Sequence, residues 1–385
     1  MRDRTLHDHL FADAPKRVLA LDGGGVRGIV SLAFLERIET ELASRYGDKS
    51  FRLCDYFDLI GGTSTGSIIA AGLALGYTVS DLIAVYRELS HQAFQDAHWL
   101  GGVFAPKFKA DPLMRAVRQH VGSETLGSAK LRTGLAIVAK RLDTNSVWVF
   151  HNNPRGRYYA PADGGPAYTP NRDLPLASLI RASTAAPTYF EPEFIAVAPG
   201  VQGAFVDGGV SPHNNPSLLL LMLASMGGYG FRWPLALDRL LVTSVGTGTY
   251  LPSFDASSWS SSTGVGLGIT ALRSVLGDAD SLVQRLMQWM SSCATPWTID
   301  GEIGDLSDDS FAGQKHFHYQ RYNVALDTEW LKTQLDIDLA PKDIARLAQI
   351  DQPRTVERLL EIGRSAATRQ IRAEHFPAAF DGGAP

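Results

Sequence analysis

Short apolar runs bounded by glycine, aspartate or asparagine alternate along this chain with longer stretches in which apolar residues recur every three or four positions. The first kind predicts buried strands and the second predicts helices. Arg17-Val18-Leu19-Ala20-Leu21 opens the series as a strand and runs into the turn Asp22-Gly23-Gly24-Gly25-Val26-Arg27-Gly28. Leu32, Leu35, Ile38 and Leu42 then mark one face of a helix that Gly47 ends, with charged residues between them. Residues 56–60 predict a second strand, entering Gly62-Thr63-Ser64-Thr65-Gly66, and the small-residue stretch 67–75 predicts a helix leaving it. A further helix follows over 79–94. Residues 135–139 and 147–150 predict two strands joined through Asp143-Thr144-Asn145. A helix over 176–186 stops at Pro187, and the short strand Ala204-Phe205-Val206 leads into Asp207-Gly208-Gly209. A very apolar helix over 216–224 and a strand over 240–245 complete the first two thirds.

Strands and helices interspersed in this way predict an α/β fold. It is expected as a three-layer α/β/α arrangement with a mainly parallel central sheet covered on both faces. Residues 1–16 are mostly polar and read as a loose N-terminal arm, and residues 17–250 as the core domain. Residues 251–385 read as a Ser-rich loop (Ser257, Ser258, Ser260, Ser261, Ser262) followed by a helical region packed on that core.

Bulk properties narrow the picture. Hydrophobic residues make up 45% and charged residues 20%, as in ordinary globular domains. A net charge of -4 gives no basic footprint, so no nucleic-acid partner is expected. Two cysteines, Cys54 and Cys293, are too few for a disulfide framework and suit a reducing compartment. The first residues carry no apolar leader, and the longest apolar run, 218–224, is too short to span a bilayer. A cytoplasmic protein with at most peripheral membrane contact is expected.

The chemistry concentrates at three glycine-rich turns. Gly62-Thr63-Ser64-Thr65-Gly66 has the G-x-S-x-G form of a nucleophile elbow, between a strand and an Ala-rich helix. The bland reading is a Gly-rich connection. Gly23, Gly25 and Gly28 satisfy G-x-G-x-x-G, which suits either a pyrophosphate or the oxyanion of an acyl-transfer intermediate. The serine elbow favours the oxyanion. So does the absence of a second strand ending in an acid some 20 residues on. A dinucleotide-binding oxidoreductase stays as an alternative. Serine needs a base, yet none of the ten histidines has a setting that recommends it. Asp207 follows a strand and precedes two glycines, so it is either a turn aspartate or a carboxylate that takes the Ser64 proton directly.

Taken in order, D-G-G-G-x-R-G, G-T-S-T-G and D-G-G resemble the patatin-like phospholipases and lipid acyl hydrolases. The segment 181–190, Arg-Ala-Ser-Thr-Ala-Ala-Pro-Thr-Tyr-Phe, extends the resemblance, which covers about residues 17–250. It implies a Ser-Asp dyad without histidine, with Ser64 as nucleophile and Asp207 as base. It also implies an oxyanion hole from the N–H groups of Gly23, Gly24 and Gly25. Asp22, Arg27, Gly62, Gly66 and Gly208 take supporting roles. The implied substrates are acyl lipids such as phospholipids or galactolipids, met at a membrane surface, with no cofactor and no metal. Some bacterial relatives in this family are nucleotide-activated effectors that degrade membranes. Gating by a nucleotide or by oligomerisation, with residues 250–385 carrying the control, is therefore the alternative reading. Trp99, Leu100, Val103, Phe104, Trp289, Met290 and Trp297 are candidates for an acyl groove or for contact with a bilayer, against the plainer expectation that they are packing residues.

Overall fold

The computed structural model describes residues 4–93, 110–161, 168–250 and 264–381. Its strands are β1 (Lys16–Leu21), β2 (Leu59–Thr63), β3 (Gly134–Arg141), β4 (Ser146–His151), β5 (Glu193–Ala198), β6 (Val201–Asp207), β7 (Leu240–Val245), β8 (Ser292–Cys293) and β9 (His318–Tyr322). The helices are α1 (Leu6–Phe11), α2 (Gly28–Tyr46), α3 (Leu53–Tyr56), α4 (Thr65–Ala74), α5 (Val79–Ala93), α6 (Ala110–Val121) and α7 (Leu176–Thr184). They continue with α8 (Ser217–Ser225), α9 (Gly264–Met290), α10 (Thr328–Leu335), α11 (Pro341–Leu347) and α12 (Val356–Gln370).

All nine strands join one sheet. β3, β2, β1, β7, β9 and β8 are consecutive parallel neighbours, while β4, β5 and β6 pair antiparallel. Every residue of β1 is buried, and its Val18-Leu19-Ala20-Leu21 stretch reads as an unbroken apolar run. Its alternate side chains serve two cores. Leu19 and Leu21 pack with α2, α4 and α12, whereas Val18 and Ala20 pack with α8 and α9. The three layers expected from the sequence are therefore present.

The register at β3 positions the site. β4 occupies one edge of β3 from Ala136 to Arg141. β2 and β6 must share the other edge, β2 reaching Val138 with Thr63 and β6 reaching Ala139 with Asp207. The two strands meet end to end.

Several boundaries differ from those the sequence suggests. The strand expected over 56–60 begins at Leu59, because Arg52 and Asp55 cap the short helix α3 and hold Tyr56 in it. The expected N-terminal arm is not loose. Helix α1 has a Thr5/Asp8 capping box, and the Leu10 carbonyl accepts a 2.8 Å bond from the Trp233 indole. Residues 318–322, which have no strong signal of their own, form β9 inside the parallel sheet, so the sheet extends well past the core boundary expected at 250. The C-terminal region packs on the core: α12 lies against α2 so closely that a Cβ on Gly363 would stand 2.7 Å from the Ala33 methyl. The Ser-rich loop and Trp99, Leu100, Val103 and Phe104 lie outside the described residues.

Candidate active site

Ser64 sits between the end of β2 and the start of α4, with φ 55° and ψ -125°. A non-glycine residue in this region costs on the order of 1–3 kcal/mol and is kept where the surroundings impose it. Here they do. A Cβ on Gly62 would collide with the Gly66 carbonyl and lie 2.6 Å from the Ser67 nitrogen, and one on Gly66 would strike the backbone of β1. The two elbow glycines thus permit the helix to start against its own strand. Ser64 occupies the N-cap position of α4 but does not cap it. Its hydroxyl instead donates a 2.6 Å hydrogen bond to Asp207 Oδ2. The other carboxylate oxygen, Oδ1, accepts from the Gly209 N–H at 2.7 Å.

Both partners are buried, Ser64 to 8% and Asp207 to 6% exposure. Desolvation pushes the Asp207 carboxyl up to about 6, against the opposing effects of the Ser64 and Gly209 bonds and of the Arg181 charge. Gly208 leaves room for this meeting, since a Cβ there would stand 2.6 Å from the Val138 carbonyl and 3.0 Å from the Thr63 methyl. Among the described residues, no histidine bonds to Ser64 or Asp207. His213 lies nearby in the chain path, but what it offers is its backbone carbonyl, to the Thr63 hydroxyl at 2.6 Å.

Ser183 was not singled out by the sequence, although it lies in the segment 181–190. Its hydroxyl accepts the Ser64 N–H at 2.9 Å and donates to the Val138 carbonyl at 2.6 Å. It thereby ties the elbow to β3. The Asp207 N–H donates to the Ala185 carbonyl at 3.0 Å, so the end of α7 braces both members of the pair.

The first glycine turn lies against the serine: a Cβ on Gly23 would stand 3.1 Å from the Ser64 Cβ. Of its three N–H groups, that of Gly23 is engaged by the Asn214 carbonyl at 3.0 Å. Those of Gly24 and Gly25 have no partner among the described residues. Gly25 has φ +58°, which exposes successive N–H groups along the turn. Asp22 holds the turn from behind. Arg321 on β9 grips its two carboxylate oxygens at 2.9 and 2.5 Å. Burial still pushes the Asp22 carboxyl up to about 6. Arg27 donates to the Gly248 carbonyl at 3.0 Å.

The family model described as patatin-like phospholipase matches residues 19–221, more than half of the chain, and these residues hold both the elbow and Asp207. The chain belongs to the patatin-like phospholipase family. A cGAMP-activated phospholipase of Escherichia coli is 33% identical over 222 residues, 56% of this chain and 58% of that protein. Patatin-07 of Solanum tuberosum is 29% identical over 248 residues, 60% of each chain. Patatin-like protein 4 of Arabidopsis thaliana is 30% identical over 267 residues, 63% of each. The chain thus spans about three fifths of the length of these curated relatives. Arg321 and the whole of β9 lie beyond the part matched to the patatin-like model. Their contribution to the site had no motif to announce it.

The pair opens onto a mostly apolar cavity of about 560 Å³, counted with the solvent space at its mouth. Ser64 and Asp207 lie in its wall together with Ile68, Leu89, Tyr189, Phe190 and Ile350. Trp289, Met290 and Trp297 do not line it. Trp289 packs edge-on against Phe311, Met290 packs on the core beneath α8 and α9, and Trp297 stacks on Trp330. These three are packing residues, as the plainer expectation had it. Among the described residues, no cluster of histidine, cysteine and carboxylate side chains could hold a metal.

Proposed function

We propose that this protein is a lipid acyl hydrolase that cleaves fatty-acyl esters of phospholipid type through a Ser64–Asp207 dyad. The observation that carries the reading is the 2.6 Å bond from Ser64 Oγ to Asp207 Oδ2 in the wall of an apolar cavity. Asp207 takes the hydroxyl proton as Ser64 Oγ bonds to the acyl carbon. The carbonyl electron pair moves onto oxygen, and the free N–H groups of Gly24 and Gly25 receive that charge. Each such donor contributes roughly 3 kcal/mol to the transition state. Gly23 supports the turn through its bond to Asn214. As the tetrahedral species collapses, the carbon–oxygen bond to the alcohol breaks and protonated Asp207 gives its proton to the leaving alkoxide. A water then repeats the sequence, losing its proton to Asp207, and fatty acid and free Ser64 result.

A carboxyl near 6 suits this dual role, since it is ionised at neutral pH yet basic enough to hold the proton for one half-reaction. The cavity wall suits a hydrocarbon chain, which gains roughly 0.8 kcal/mol for each methylene taken from water. Among the described residues, no helix is long and apolar enough to cross a membrane. The enzyme is proposed to meet its lipid at the bilayer surface.

The test is fatty-acid release from phosphatidylcholine and phosphatidylglycerol vesicles by the wild type and by Ser64→Ala. Release by the wild type alone supports the reading, and equal release by both overturns it. A second reading, activation by a nucleotide, rests on the name of the Escherichia coli relative. Adding cGAMP to the same assay separates the two, because an ungated enzyme is active without it.

A further inference from the structure

We infer that Ile350, contributed by the chain beyond the part matched to the patatin-like model, sets the acyl-chain selectivity of this site. The proposal rests on the hydrolase reading above. Ile350 lies between α11 and α12, about 130 residues past the end of the matched region at 221. It nevertheless touches the centre of the site in two ways. Its carbonyl accepts the Val26 N–H at 2.9 Å, which pins the turn that carries Gly24 and Gly25. Its side chain packs on Gly25, where an added Cβ would lie 2.7 Å from the Ile350 Cβ. The same residue lines the cavity that holds Ser64 and Asp207, together with Tyr86 and Leu89 of α5.

α12 follows Ile350 within a few residues and packs on α2, the helix that starts at the end of the glycine turn. Two bidentate ion pairs join α12 to the cavity's scaffold. Arg87 of α5 meets Glu357 with both bonds at 2.7 Å, and Arg364 of α12 meets Glu36 of α2 at 2.7 and 2.8 Å. The cavity wall and the oxyanion turn are thus referenced to the same packed helices. The Ile350 side chain can change in size while its backbone bond to Val26 stays. A wall residue beside the nucleophile decides how much hydrocarbon enters, and one methylene in an apolar pocket discriminates by about 10- to 200-fold.

The experiment measures kcat/KM of the wild type, Ile350→Ala, Ile350→Val and Ile350→Trp on p-nitrophenyl acetate, butyrate, octanoate and palmitate. Ile350→Trp is expected to lose about tenfold or more on octanoate and palmitate relative to acetate. Ile350→Ala is expected to move the optimum toward longer chains, with Ile350→Val between it and the wild type. A melting temperature and circular dichroism spectrum matching wild type show in each variant that the fold persists, and each chain-length profile is read relative to that variant's own rate on acetate. Should Ile350→Trp fail that control, the order of Ala, Val and Ile carries the test. Chain-length profiles that superimpose in all folded variants overturn the inference while leaving the hydrolase intact. A wild type that cleaves no ester in the series, with or without cGAMP, overturns the hydrolase reading, and the inference with it.

Discussion

Asp207 reaches Ser64 across 143 residues of sequence because β2 and β6 end on adjacent residues of β3, Val138 and Ala139. One strand delivers the serine and the other, running the opposite way, delivers the carboxylate. The pairing is a consequence of register, and a slip of one residue in β6 would turn Asp207 to the opposite face of the sheet.

The first prediction concerns pH. A base must be ionised, so kcat/KM should rise with pH along an acid limb centred near 6, where burial places the Asp207 carboxyl. An acid limb at the ordinary aspartate position, two units lower, would show that Asp207 is not the titrating base.

Stability should carry the opposite sign. Burial raises this carboxyl, so between about pH 4 and 6 the folded protein holds a proton that the unfolded chain has released. Its contribution is favourable below that window and is lost as pH rises through it. Asp207→Asn, which cannot ionise, should therefore melt roughly 2 to 4 °C above wild type at pH 8 and close to wild type at pH 4. Melting curves at the two pH values decide it, and a difference independent of pH would refute the argument.

The strained serine permits a second stability test. Ser64→Ala and Ser64→Gly lose the same hydroxyl, but only glycine is at ease at φ 55°. Ser64→Gly should be the more stable of the two by about 1 kcal/mol in urea unfolding, the reverse of the usual order.

These residues show what was legible in the chain and what was not. Ser64, Asp207 and the turn at Gly23-Gly24-Gly25 announce themselves because tight turns demand glycine, and glycine is visible in a sequence. The strands β1, β3 and β7 announce themselves because both their faces are buried. Arg321 and Ile350 do not. They act through a side-chain pair and a backbone carbonyl fixed by packing over 299 and more than 300 residues of separation, and no local pattern encodes such contacts. β9 was missed for the same reason: His318-Tyr319-Gln320-Arg321-Tyr322 is polar in composition yet sits between β7 and β8 with most of its residues buried. Even Gly23 shows the limit, since its N–H is taken by Asn214, which no motif ties to it.

Arg321 gives a prediction that reaches beyond the family's matched region. Removing one partner of a buried ion pair leaves the other uncompensated and costs about 3–5 kcal/mol. Arg321→Met should lose stability on that scale and lower kcat, because Asp22 adjoins the turn proposed to hold the oxyanion donors. Arg321→Met combined with Asp22→Asn should recover much of the stability in urea unfolding. Two effects that simply add would mean that the pair does not act as a unit.

The central claim is that Ser64 is a nucleophile activated by Asp207. The direct measurement is covalent labelling by a fluorophosphonate with a long alkyl chain, read by mass spectrometry of the peptide that contains Ser64. The account predicts one adduct on Ser64 in the wild type, none in Ser64→Ala, and labelling slowed at least 100-fold in Asp207→Asn. An adduct formed at the wild-type rate in Ser64→Ala, or undiminished labelling of Ser64 in Asp207→Asn, would contradict it.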